Sequence, residues 1–210
     1  MKDEGCFVLA HIRRPKHKTM NIVNVGYDST NYYLLDAQGG YLMVDAGWPN
    51  TLPKLVNACK RKGVALAQIK TVLVTHYHPD HAGLVQELKS AGARLLLLDE
   101  QRAAIAPMGR FMKSEQHYVE IELEGNIELR VPESRGFLKK IGISGEIIFT
   151  PGHSDDSVTL VLDEGEAFTG DLGPLLDGGP DDETRRSWER IRALGAKTIY
   201  PGHGPVRPLR

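Results

Sequence analysis

Two hundred and ten residues, 41% hydrophobic and 25% charged, describe a globular chain able to bury a core without disulfide staples, and they exclude collagen, coiled coil and low-complexity polymer. Lys and Arg number 26 against 27 Asp and Glu, so no net positive field draws a phosphate backbone to the surface and nucleic acid is not an expected partner. No segment approaches about 18 uninterrupted apolar residues, Cys6–Ala10 is too short for a signal peptide's apolar run, and Cys6 and Cys59 form no disulfide framework; the expectation is one cytoplasmic domain over residues 1–210, with no membrane partner and its oligomeric state open.

Met20–Val25, Tyr32–Leu35 and Tyr41–Val44 read as an antiparallel meander, the last two strands joined by a turn at Asp36–Gly40. Leu52–Lys62 follows as a helix, with Pro53 in its first turn and Gly63 ending it. Thr71–Thr75 is a short buried strand, His81–Ser90 a helix and Arg94–Leu98 another strand. Between Asp99 and Ile143 the pattern is irregular. Gln101–Lys113 reads as a helix despite Pro107 and Gly109, and Ile121–Arg130 reads as a hairpin turning at Gly125-Asn126. Strands return at Glu146–Thr150, Ser157–Leu162 and Glu166–Thr169, then a helix at Asp182–Leu194 and a strand at Thr198–Tyr200. Two strand-rich halves, each followed by helices, predict an α/β sandwich with helices outside two sheets.

The chemistry concentrates in Thr75-His76-Tyr77-His78-Pro79-Asp80-His81-Ala82-Gly83, where four metal-ligand side chains fall within six residues at the end of a buried strand. Residues 76 and 78 share a direction in extended chain, whereas 80 and 81 lie where the chain turns into a helix, so one loop can present two adjacent ligand sets. Three later residues each follow a predicted strand and a glycine: His153 after Pro151-Gly152, Asp171 after Gly170, and His203 after Pro201-Gly202. Glycine there permits a sharp turn and a close backbone approach to a metal.

On these motifs the chain resembles the metallo-β-lactamase superfamily, whose pattern is His-x-His-x-Asp-His, a His after Pro-Gly, an Asp after Gly and a terminal His. All seven positions match. The resemblance implies a four-layer αβ/βα sandwich of two mixed β-sheets with helices on the outer faces, and a dinuclear site. It assigns His76, His78 and His153 to one metal and Asp80, His81 and His203 to the other, with Asp171 bridging. Asp45, in Val44-Asp45-Ala46-Gly47, matches a further family position that orients a ligating imidazole.

Two divalent ions, most simply zinc given the N/O ligand set, with iron or manganese as alternatives, would leave a net charge of +2 after Asp80 and Asp171 are counted. Such a site holds hydroxide at neutral pH and stabilises the oxyanion formed when it attacks an acyl carbon. Asp80, as ligand and hydrogen-bond acceptor, is the candidate catalytic residue that orients the nucleophile and carries a proton to the leaving group.

Departures from family members narrow the substrate. No signal peptide is expected before the motifs, and the Asp at the bridging position separates the chain from secreted β-lactamases. Leu172-Gly173-Pro174-Leu175 stands where glutathione-thioester hydrolases carry Gly-Arg-x-Asp, only Tyr200 lies where lactonases place a polarising tyrosine, and no exosite arm or flavodoxin domain is expected. A compact metallo-hydrolase of a small acyl ester, lactone or thioester is the expected function. The alternatives are an iron-dependent redox enzyme such as a persulfide dioxygenase, a phosphodiesterase and a non-catalytic metal-binding module.

Other features carry less. Cys59, Trp48 and Trp188 read as packing residues, although Trp48 follows the Asp45 loop and could reach a pocket rim. His11, His17 and His117 stand outside the clusters, and Arg13, Arg14, Lys16 and Lys18 read as a solvated basic edge. Asp181, Asp182 and Glu183 suit a helix N-terminus. Residues 99–145, with Ile105, Met108, Phe111 and Met112 beside Arg110, Lys113, His117 and Tyr118, are the candidate substrate-determining wall or lid; the alternative is a helix packed on the core.

Overall fold

In the computed structural model, residues 20–112, 114–174 and 182–209 are described. Cys6, His11, Arg13, Arg14, Lys16, His17, Lys18, Lys113, Asp181 and the side chain of Phe111 lie outside that description.

Two mixed sheets stack face to face. The first has six strands in the order β1 (Ile22–Asn24), β2 (Tyr33–Ala37), β3 (Gly40–Val44), β4 (Ile69–Leu73), β5 (Arg94–Leu98) and β6 (Ile127–Leu129). The expected meander is present, since β1, β2 and β3 pair antiparallel, and β3 through β6 run parallel. The second sheet pairs β7 (Gly145–Phe149), β8 (Val158–Leu162) and β9 (Glu166–Gly170) antiparallel. To it are added β10 (Thr198–Pro201), parallel to β9, and the short β11 (Arg207–Pro208).

The period-two alternation of strand side chains decides the layering. Leu96 and Leu98 of β5, with Leu42, Val44 and Leu73, face Ile147, Val158, Leu160 and Phe168 of the second sheet in a closed inner core. Leu95 and Leu97, with Met43 and Val72, point the other way. There they meet Leu55 and Cys59 of α1 (Leu52–Arg61), Val85 and Leu88 of α3 (Val85–Ser90), and Ile105 and Met108 of α4 (Arg102–Met108). Val161, Ala167 and Ile199 on the far side of the second sheet pack on Trp188 and Ile191 of α6 (Asp182–Ala193). Four layers, αβ/βα, result, as expected for helices covering both outer faces. Cys59 and Trp188 are core residues, and burial pushes the Cys59 thiol up to about 11.

Four departures from the sequence reading trace to contacts between segments distant in sequence. The strand expected at Thr71–Thr75 begins at Ile69 and ends at Leu73, because the Thr75 amide donates to a side chain, Asp45 Oδ1, at 2.7 Å instead of to a neighbouring strand. The helix expected over His81–Ser90 is broken into α2 (Pro79–Ala82) and α3, with Leu84 N diverted to Gly47 O at 3.1 Å. The expected hairpin at Ile121–Arg130 is absent. Glu122 N is satisfied by Gln86 Oε1 at 3.0 Å and Glu124 O by Lys89 Nζ at 3.1 Å, so β6 alone forms, parallel to β5. Finally, α5 (Ser134–Lys140) lies in the irregular segment, its Ser134 hydroxyl accepting from Ile147 N at 3.0 Å.

Candidate metal centre

The loops that end β3, β4, β7, β9 and β10 converge at one edge of the sandwich, and each delivers one or more of the residues singled out by the sequence. His76 and His78 leave β4 in extended chain. Pro79 then fixes the first turn of α2, which carries Asp80 and His81. Two groups of donor atoms form, His76 with His78 and His153, and Asp80 with His81, Asp171 and His203, each with its donors within 4.8 Å of one another.

In the first group His78 Nδ1 lies 3.1 Å from both His76 Nε2 and His153 Nε2. One ring nitrogen cannot satisfy two others by sharing a single proton, so the three lone pairs converge on a point suited to a cation. In the second, His203 Nε2 stands 3.1 Å from Asp80 Oδ2 and 3.2 Å from Asp171 Oδ2, and His81 Nε2 is 3.3 Å from Asp171 Oδ1. Asp171 Oδ2 is also 3.7 Å from His153 Nε2, so this carboxylate spans the two groups. His81 Nε2 and Asp171 Oδ1 are buried without a hydrogen-bond partner. Orphaned buried polar atoms are costly unless a ligand satisfies them, and this imidazole and carboxylate set fits a divalent cation.

Glycine is required for the close approach. A Cβ at Gly202 would overlap Asp171 Oδ1 and lie 2.6 Å from His81 Cε1, and one at Gly170, whose φ is +51°, would overlap Thr75 Oγ1.

The site is graded in exposure. His76 and His81 are buried, whereas His153 and His203 are open to solvent at 32% and 41% of their side-chain surface. Burial, helped by the surrounding imidazoles, holds His76 well below the usual histidine range, and burial also lowers His153 against the pull of Asp171. Both rings are therefore neutral at neutral pH, with lone pairs free to accept a cation. Burial opposes charge on His81 too, but Asp45 and Asp171 outweigh it and push it up to about 10. Burial would raise Asp171, yet the His81 imidazole 3.3 Å away, with charge interactions from His203 and His153, brings it below the usual carboxylate range.

A model of the metallo-beta-lactamase superfamily matches residues 25–203. The chain belongs to that superfamily. It is 32% identical over 186 residues to a beta-lactamase-like protein 2 homolog of Caenorhabditis elegans, covering 84% of this chain and 56% of that protein. It is likewise 32% identical over 186 residues to an atrochrysone carboxyl ACP thioesterase of Aspergillus fumigatus, covering 84% of this chain and 51% of that one. The chain thus spans about half the length of the curated relatives it matches. A solved metallo-beta-lactamase family protein of Thermus thermophilus superposes with a TM-score of 0.69 at 25% identity, over 90% of this chain and 74% of that one. Among the described residues no helix is long and apolar enough to cross a membrane.

Several supports of this metallo-beta-lactamase site were not singled out in the sequence. Ser29 O accepts from His203 Nδ1 at 2.8 Å, the Asn31 side-chain amide donates to Pro201 O and Gly204 O, and the Thr30 hydroxyl donates to Asp80 Oδ2 at 3.3 Å. Asp28 and Ser29 achieve this through left-handed backbone, at φ +52° and +67°. The available signal was a polar Asp-Ser-Thr-Asn run between two strands. Gln101 Nε2 braces the loop from behind, donating to Val74 O, Thr75 O and Asp156 O. His117 is exposed and outside both donor groups, and Ile105 and Met108 are buried in the outer core.

Proposed function

We propose that the protein is a dinuclear metallo-hydrolase of a small acyl ester, lactone or thioester, with His76, His78 and His153 holding one ion, Asp80, His81 and His203 the other, and Asp171 bridging. The observation that carries this reading is the Asp171 carboxylate, whose two oxygens reach imidazoles of both groups. Zinc is the ion proposed, with iron and manganese as the alternatives. When bound, divalent ions of this kind acidify water to a pKa of about 7 and polarise an acyl oxygen.

The chain's own residues then have distinct tasks. His76 and His81 form the buried side of the site and exclude solvent there, while His153 and His203 border the open side from which substrate enters. Asp80 is positioned by the Thr30 hydroxyl, and in this reading it takes the proton from the attacking water and returns it to the leaving alcohol or thiol. Residues 99–145 are proposed as one wall of the substrate site through their exposed polar groups, Ile105 and Met108 being committed to packing. The hydrolase and thioesterase names borne by relatives support the reaction class.

Purified protein loaded with zinc should cleave members of a panel of acyl thioesters, aryl esters and lactones, and elemental analysis should return two ions per chain. One ion would overturn the dinuclear part of this reading, and iron with oxygen consumption on a persulfide in place of hydrolysis would replace it with the redox alternative.

A further inference from the structure

A cavity of about 390 Å³ adjoins the donor groups, lined by His153, Asp171 and His203, by the apolar Leu172 and Pro174, and by Arg207. His153, Asp171 and His203 belong to the donor groups, so Arg207 is the remaining charged side chain that this cavity offers among the described residues. Its backbone is fixed on β11, where Arg207 pairs with Ile199 and Leu209 N donates to Lys197 O at 2.8 Å. Its guanidinium carbon lies 5.9 Å from the centre of the Trp188 ring. Trp188 is itself buried in the core with its indole N–H donating to Gly173 O at 2.7 Å, so one side chain contacts both the cavity wall and Arg207.

A guanidinium resting on an aromatic face keeps its N–H edge free to donate. Arg102, Arg130 and Arg135 spend that edge on Glu128, Glu133 and Glu146. Among the described residues Arg207 has no carboxylate within ion-pair distance, and it faces a cavity that leads to the reacting centre. A planar fork of donors in that position matches carboxylate or phosphate oxygens in a bidentate arrangement.

We propose that Arg207 is a specificity-determining residue that binds an anionic group, carboxylate or phosphate, on the non-reacting end of the substrate. The natural substrate is then an acyl ester, lactone or thioester bearing such a group. This rests on the hydrolase reading for its reaction and on Arg207, Trp188 and the cavity for its recognition.

The test compares matched pairs on the zinc-loaded protein. Mono-4-nitrophenyl glutarate against 4-nitrophenyl valerate isolates a carboxylate, and butyryl-coenzyme A against butyryl-N-acetylcysteamine isolates phosphates. The wild type should favour one anionic member by about tenfold or more in kcat/KM, chiefly through KM; Arg207→Gln should bring that ratio to about one, and Arg207→Lys should restore part of it. The pair that responds names the anion. Equal rates within both pairs would overturn the proposal, as would a preference that survives Arg207→Gln, which would mean the anion is held elsewhere. If none of the four is cleaved, the hydrolase reading fails separately, and calorimetric binding of glutaric acid monoanilide against valeranilide decides the anion site by itself. Binding weakened about tenfold in Arg207→Gln supports it; binding that is absent in the wild type or unchanged in the variant overturns it.

Discussion

Asp45 accepts the Nδ1–H of His81 across 2.9 Å in a fully buried contact, and its other oxygen takes the Thr75 amide at 2.7 Å. With Nδ1 committed, the ring turns Nε2 toward Asp171 and Asp80. Asp45 has φ +62°, a backbone state that asparagine tolerates, so Asp45→Asn keeps the turn while removing the charge. Zinc affinity should fall about 10- to 100-fold with circular dichroism unchanged, as read by competition with a chromophoric chelator. Undiminished affinity would show that the contact does not govern the ligand.

Proton release should accompany metal uptake. His81 ordinarily titrates at 6.5 and is pushed up to about 10 in the folded chain, so at neutral pH the ring is protonated and must lose that proton to become a ligand. Apparent zinc affinity should therefore rise about tenfold per pH unit for this proton, with a shallower slope in Asp45→Asn. For the metal-free chain the sign runs the other way. A raised folded-state value stabilises fully below 6.5, and the stabilisation is lost as pH rises through about 10. Calorimetry in two buffers of different ionisation enthalpy counts the protons, and a count of zero would contradict the assignment.

Asp171→Ala removes the one carboxylate that, among the described residues, reaches both donor groups. Metal content and hydrolysis should fall together while the far-ultraviolet spectrum stays native. Asp80→Ala should instead lower turnover beyond its loss of metal, which kinetics in excess zinc would reveal; full turnover in either variant would remove the role assigned to that residue.

Gly202→Ala forces a methyl group into the space held by Asp171 Oδ1 and His81 Cε1. Overpacking of this kind costs about 1–3 kcal/mol, and here its effect falls on two side chains of the second donor group. The variant should melt lower and bind zinc more weakly, with Gly204→Ala as a control for backbone strain alone, since Gly204 is left-handed but has open space around its Cβ direction.

Much of this was legible because it rests on local chemistry. The histidines and aspartates of the two donor groups sit beside glycines and strand ends, so their grouping could be read in one dimension. Strand β5 was bounded correctly because a run of leucines between Gly92 and Asp99 suits a strand buried on both faces. The hairpin at Ile121–Arg130 failed for a tertiary reason: Gln86 and Lys89 of α3 supply hydrogen bonds that a partner strand would otherwise make. Thr30, Asn31, Gln101 and Arg207 were invisible for the same reason, since each owes its position to groups distant in sequence. The early end of β4 at Leu73 is tertiary too, as the carboxylate of Asp45, from the loop after β3, takes the Thr75 amide.

The two donor groups draw His76, His78, Asp80 and His81 from beyond β4 and His153, Asp171 and His203 from beyond β7, β9 and β10, so each group joins the first sheet to the second. Along the interior the sheets cohere through leucine, valine and phenylalanine, but at this edge polar loops face one another, bridged by contacts such as Val158 N to Thr75 O and Asn31 N to Gly202 O. Cations bound there would act as a clasp between the halves of the sandwich, and mechanical cohesion and ligand geometry would be set by the same atoms.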